Sequence, residues 1–230
     1  MFAGFSIVLA IGCGAILGAG AVLWLNRQQT LQREAFQALA ARRGWSLTIS
    51  EQKLGRPAIL RLTARSGRGW HCESRRYPGP DHGMPDYLTT EFVAEEPHWP
   101  DGSLILTAAN SETVQTDAAA PKPRRLGKSA LTMTDRVDLA LKDEVSVQLR
   151  PYPAPPGLVA RATCDPVHRF DLDALADVLA DWQPQQHSSD GQPVIQIGPE
   201  GFRVQVSHGM RRADQMESFI DFALNLIRVI

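Results

Sequence analysis

Residues 87–96, YLTTEFVAEE, set the architecture. Leu88, Thr90, Phe92 and Ala94 alternate with Thr89, Glu91, Val93 and Glu95, so a strand here turns one sheltered face and one largely wet face. The same period of two recurs in WSLTIS (45–50), AILRLTAR (58–65), GWHCESRRY (69–77) and SLILTAA (103–109). These runs are rich in β-branched and aromatic residues and are separated by breaks containing Gly, Pro or Asp. They predict an antiparallel meander over residues 45–110 rather than a βαβ series.

Downstream, NSETVQTDAAAPKPRRLGK (110–128) loses the period, and residues 111–130 read as a linker or long loop. It ends in Lys122, Arg124, Arg125 and Lys128, a cluster that could touch anionic lipid headgroups near a bilayer, although four basic residues is the bottom of the range for such patches and a solvated loop is the favoured reading. Residues 131–230 form the second unit. A helix is expected over Thr134–Glu144, then strands at VSVQLR (145–150) and LVARATC (158–164), with PYPAPPG between them as a turn that joins no ladder. Asp171 is placed to N-cap a helix running to about Trp182, with Phe170 and Leu175 at the positions of a hydrophobic staple. PVIQIG and GFRVQVS make a hairpin across Pro199, Glu200 and Gly201. A closing helix starts at Asp214, where Asp214 and Glu217 resemble a capping box. Its polar residues Asp221, Asn225 and Arg228 share one stripe, and Met216, Phe219, Ile220, Phe222, Ala223, Leu224, Leu226 and Ile227 make a broad apolar face. The expected fold is therefore α+β: an antiparallel meander followed by a strand-helix-hairpin-helix unit, in one domain or in two joined near residue 120.

Upstream of the meander, residues 27–44 read as a juxtamembrane helix with Leu31, Phe36 and Leu39 or Ala40 on one side, stopped by Gly44. Before it, residues 2–25, FAGFSIVLAIGCGAILGAGAVLWL, hold no charged residue, His, Asn, Gln or Pro. At about 1.5 Å per residue this stretch exceeds the roughly 30 Å hydrocarbon core, so residues 1–26 are expected to be a transmembrane anchor. Gly12, Gly14 and Gly18 imitate a dinucleotide loop, but a helix from Ala15 to Leu25 would have no solvent face. Ala19-Gly20-Ala21 fits a signal-peptidase site, yet no basic residue precedes the apolar run and the run is too long. Cys13 lacks the Leu of a lipobox three residues before it.

Arg27, Arg33, Arg42 and Arg43 follow the span, opposed by Glu34 alone, so the positive-inside rule leaves the N-terminus outside and the C-terminal domain in the cytoplasm. Ser6, Ala10, Gly14 and Gly18 recur every four residues, a small-xxx-small ridge through which the span could meet a copy of itself or another membrane helix. Outside the span lie only Cys72 and Cys164. With the opposite topology they would be the natural disulfide of an exported envelope-binding domain.

A net charge of −1, with 21% charged residues, leaves no electrostatic footprint for nucleic acid. His71, His82, His98, His168, His187 and His208 lack metal-ligand spacing with one another or with cysteine, and Cys72 and His71 would point to opposite faces of a strand. Asp173, Asp177 and Asp181 make a stripe along one helix face, and no Walker loop, nucleophile elbow or HExxH is present. No catalytic, cofactor or metal residue is therefore nominated. In outline the chain resembles bacterial proteins with one N-terminal span and an α+β domain, a likeness that implies no activity. The expectation is a single-pass, bilayer-anchored, non-catalytic module on the cytoplasmic face that assembles or stabilises a membrane protein complex. A membrane-bound hydrolase with a motif-poor site is the alternative beside the exported domain.

Overall fold

The computed structural model describes residues 2–50, 58–65, 69–77, 87–96, 98–108, 149–166, 169–182 and 192–230, with side chains from Gly20 onward except at Ala21, Leu25, Tyr77 and Tyr87. The chain begins as one unbroken helix, α1 (Phe2–Arg43). The apolar stretch and the charged stretch after it are thus a single rod. It ends where Gly44 takes φ +68°, a left-handed conformation that glycine adopts without steric cost.

Four strands follow as a meander: β1 (Trp45–Ser50), β2 (Ala58–Ala64), β3 (Trp70–Tyr77) and β4 (Tyr87–Ala94). The remainder comprises β5 (Leu104–Ala108), β6 (Arg150–Tyr152), β7 (Leu158–Ala162), α2 (Leu172–Asp181), β8 (Val194–Gly198), β9 (Gly201–Val206) and α3 (Ala213–Val229). The strands among the described residues join one antiparallel sheet of nine in the order β1-β2-β3-β4-β9-β8-β5-β7-β6. The meander therefore stops at β4. The β8–β9 hairpin enters between β4 and β5, pairing Phe92 with Val204 on one side and Leu106 with Ile195 on the other. Gly201 makes that insertion feasible: it sits at φ +107°, and a Cβ there would lie 2.1 Å from the Ala94 carbonyl oxygen.

Register assigns each side chain a face. Leu62, Cys72, Phe92, Val204, Ile195 and Leu106 share one face with Trp70, Phe202, Ile197, Leu104 and Ala160. These pack in a single core with Phe36, Leu39 and Ala40 of α1, Leu175 and Leu179 of α2, and Met216, Phe219, Ile220 and Leu226 of α3. The three helices cover that face. Burying a side chain such as Phe219 or Leu175 (both 0% exposed) stabilises the fold by about 1.5 to 3 kcal/mol each.

Local expectations meet mixed outcomes. The Asp171 side chain caps α2, accepting from the Asp173 and Ala174 N–H groups at 3.1 and 3.0 Å, with Phe170 and Leu175 buried beside it. Pro151, expected in a turn outside any ladder, instead pairs with Arg161 within β6. An edge strand tolerates this because the missing N–H faces away from the sheet. The cap of α3 is also displaced. Arg212 is the N-cap, its N–H donating to Gln215 Oε1 at 3.4 Å, while Asp214 is held by the Arg212 guanidinium and Glu217 by α1. Leu31 is half exposed rather than packed with Phe36, and Val93, expected on the wet face, is buried. The linker at 111–130, with Lys122, Arg124, Arg125 and Lys128, and the helix expected at 134–144 lie outside the described residues.

Candidate functional site

Two regions gather charged side chains: the junction of α1 with the domain, and the sheet face turned away from the described core helices. At the junction, Phe36, Leu39 and Ala40 recur at i, i+3 and i+4 and enter the core. One turn on, Arg43 Nε bonds Glu217 Oε1 at 2.8 Å, the same guanidinium holds Asp221, and Arg42 reaches Glu217. Arg43 also lies over the Trp45 ring, 5.1 Å from its centroid. Exposed ion pairs contribute only about 0 to 1 kcal/mol each, so the buried residues hold the joint and the arginines fix its angle. The polar stripe of α3 thus receives α1.

The sheet face turned away from this core carries a charged row among the described residues. Arg61, Glu73 and Glu91 stand side by side on β2, β3 and β4, and a neighbouring row carries His71, Val93, Arg203 and Gln196. Two glutamates directly opposite would repel. Here three arginines offset them: Arg61 and Arg75 both bind Glu73, and Arg203 binds Glu91 at 3.2 Å. Glu73 is only 1% exposed. Burial alone would push its carboxyl up, but hydrogen bonds and charge from Arg75 and Arg61 outweigh that and hold it below the ordinary glutamate value. Cross-strand register brings these groups together from separate strands, which no local motif announced.

Other candidates resolve into structure. Cys72 faces the core, its Sγ 3.4 Å from Met216 Sδ, and burial followed by the charges of Glu73 and Glu91 pushes its thiol up, away from a nucleophile's range. His71 points the other way, 3.9 Å from Glu95. Cys72 and Cys164 are both free, and they belong to opposite parts of the sheet. Cys72 is on β3 and Cys164 just beyond β7, five strand spacings of about 4.8 Å apart, which no disulfide spans. That bridge, the staple of the exported reading, is not part of this fold. His98 Nδ1 lies 2.6 Å from the Glu96 carbonyl oxygen, whereas His82, His168 and His187 fall outside the described residues. Asp173, Asp177 and Asp181 are exposed along α2. Among the described residues no group of His, Cys, Asp and Glu is placed to hold a metal ion. An open hollow of about 800 Å³ lies between Tyr152, Pro153 and the start of α2, where Tyr152 Oη donates to Asp165 at 2.9 Å.

The side chains of Ser6, Ala10, Gly14 and Gly18 lie outside the described residues, as do those of most of the apolar stretch. Among the described residues no helix is long and apolar enough to cross a membrane. Where α1 side chains are described, Val22, Leu23 and Trp24 are 57%, 69% and 61% exposed. Outside α1 the exposed large apolar side chains among the described residues are Ile49 and Val159. The chain matches no protein-family model, and comparison with curated proteins and with solved structures yields no match.

Proposed function

We propose that this chain is a bilayer-anchored binding module: residues 2–25 cross the membrane, and the α+β domain is held on the cytoplasmic face to assemble or stabilise another membrane protein. The observation that carries this reading is the exposure of Val22, Leu23 and Trp24, which are consecutive on α1. Successive helical residues point about 100° apart, so these three face in widely different directions and a protein contact along one side would leave some of them wet. A lipid surround covers them together, and Trp24 suits the interface with water.

The unbroken run of α1 into the core supports a rigid stalk rather than a flexible tether. From Asn26 to Ala35 the helix is exposed, a length of about 15 Å, before Phe36 enters the core. Such a stalk would present the arginine-bearing sheet face at a fixed distance and angle to a neighbour in the same membrane. Arg27, Arg33, Arg42 and Arg43 favour the cytoplasmic side for the domain, and the small-residue ridge Ser6, Ala10, Gly14 and Gly18 favours helix contact in the bilayer.

The test is fractionation with topology mapping. The full chain should resist alkaline carbonate extraction, and a reporter fused after Ile230 should be active only in the cytoplasm. Extraction into the carbonate supernatant would refute the anchor, and active alkaline phosphatase on the fusion would reverse the orientation.

A further inference from the structure

Residues 150–156 read RPYPAPP, and every one of them is either a proline or the residue before one. A pyrrolidine ring fixes φ at about −65°, and its Cδ drives the preceding residue out of the helical region. Covalent chemistry therefore confines the whole stretch to extended or polyproline II backbone. Its first three residues form β6, the sheet edge opposite β1. Its end is set by a turn in which the Leu158 N–H donates to the Pro155 carbonyl oxygen at 3.1 Å, with Pro156 second and Gly157 third at φ +87°. That is a type II turn, whose second position lies next to polyproline II in φ and ψ.

Polyproline II repeats every three residues, about 9 Å. Exposure follows that repeat: Arg150, Pro153 and Pro156 are exposed, while Tyr152, Ala154 and Pro155 are half-buried. Tyr152 and Ala154 pack against the core, and the bond from Tyr152 Oη to Asp165 at 2.9 Å moors the stretch to the domain. The hollow of about 800 Å³ beside residues 152–155 leaves one flank open. The Arg150 guanidinium binds no carboxylate among the described residues.

We propose that this edge is a ligand for a protein groove of the SH3 type, whose aromatic rings take the prolines and whose acidic rim takes Arg150. Such grooves read Pro-x-x-Pro segments and gain from a backbone ordered before binding. Pro153 and Pro156 supply that spacing. Arg150 lies one repeat ahead, where its guanidinium can meet carboxylates in charge-assisted hydrogen bonds. Protection of the sheet edge accounts for Pro151, which is in the ladder, but not for Pro153, Pro155 and Pro156 beyond it. Because β6 is the strand farthest from β1, into which α1 leads, the contact holds with or without the bilayer anchor.

The test titrates the full chain in detergent micelles into an isotope-labelled SH3 domain that binds Arg-x-x-Pro-x-x-Pro peptides, read as amide shifts and indole fluorescence of its groove. The wild type should perturb the groove residues. R150Q should weaken binding about tenfold, and P153A/P156A should abolish it. R65Q, which removes an exposed charge just past β2, should change nothing. Thermal unfolding of each variant checks the fold, and R150Q, at an exposed side chain, decides alone if P153A/P156A unfolds. Absence of groove shifts with the wild type overturns the proposal, as does unchanged binding by R150Q or by a folded P153A/P156A. Equal loss in R65Q and R150Q would reduce the contact to general charge and overturn it as well.

Discussion

Along α3 the buried residues Met216, Phe219, Ile220, Ala223 and Leu226 follow one arc, while on α1 Val22, Leu23 and Trp24 are more than half exposed. Both helices are rich in apolar residues. The difference lies in angular distribution: the polar residues of α3 gather on one stripe, so a single sheet face can satisfy the rest, whereas residues 2–25 are apolar all round and no single face could. Helix α1 changes character within one rod. By Phe36 it has become an α3-like element with a buried stripe, and its last two arginines are bound to the polar stripe of α3 itself.

Breaking the α3 side of that contrast should have the largest effect. Phe219→Ala should destabilise the domain by about 3 to 5 kcal/mol in chemical unfolding, because Phe219 is fully buried with the Trp182 ring edge-on at 5.9 Å and the cavity cannot fill. Leu39→Ala tests whether the lower part of α1 belongs with α3, and its 3% exposure predicts a loss of about 2 to 4 kcal/mol. If unfolding is unchanged, the stalk is merely adjacent to the core.

Acid separates the helices in another way, because residues 2–25 contain no carboxylate while the sheet beneath α3 depends on one. The Glu73 carboxyl is held below its ordinary value when folded. Its stabilising contribution is therefore fully present above the unfolded value of about 4.3 and is lost as pH falls through the folded value. Glu73→Gln should flatten that window and cost about 1 to 3 kcal/mol at neutral pH, since Arg61 and Arg75 lose their carboxylate. Wild-type stability that does not fall across this window would remove Glu73 from the account. Smallest is the double variant R42Q/R43Q, expected to lose about 1 kcal/mol. Its clearer readout is geometric: the spin–spin distance distribution between Gln28 and Asn225 labels should broaden while the domain stays folded.

The local grammar of the chain was legible because it depends on neighbouring residues. The alternation in β4, the stop at Gly44, the Asp171 cap, the Pro199–Glu200 hairpin and the buried face of α3 all rest on spacings of a few positions. What escaped depends on contacts distant in sequence. Nothing near Leu104 announces that β8, some ninety residues later, will separate β5 from β4. Pro151 joins a ladder because β6 is an edge, a property of the assembled sheet. Asp214 and Glu217 had the spacing of a cap, but Arg212 and the end of α1 offered them stronger, charge-assisted partners. The Glu73 cluster is assembled across β2, β3 and β4 by register, from positions whose partners are distant in sequence.

The central claim is that α1 is one rigid helix leaving a bilayer near Asn26 and entering the domain at Phe36. A nitroxide scan from Gly20 to Ala35 of the full chain in phosphatidylcholine vesicles, in a Cys13→Ala, Cys164→Ser background, measures it directly. Accessibility to oxygen against a polar nickel relaxant should fall steadily from Gly20 to Asn26, with depth changing by about 1.5 Å per residue, and become aqueous on all sides from Arg27 to Ala35. A 3.6-residue oscillation through Val22 to Trp24 would place the helix along a surface or against a protein partner, and aqueous values throughout would contradict the anchor altogether.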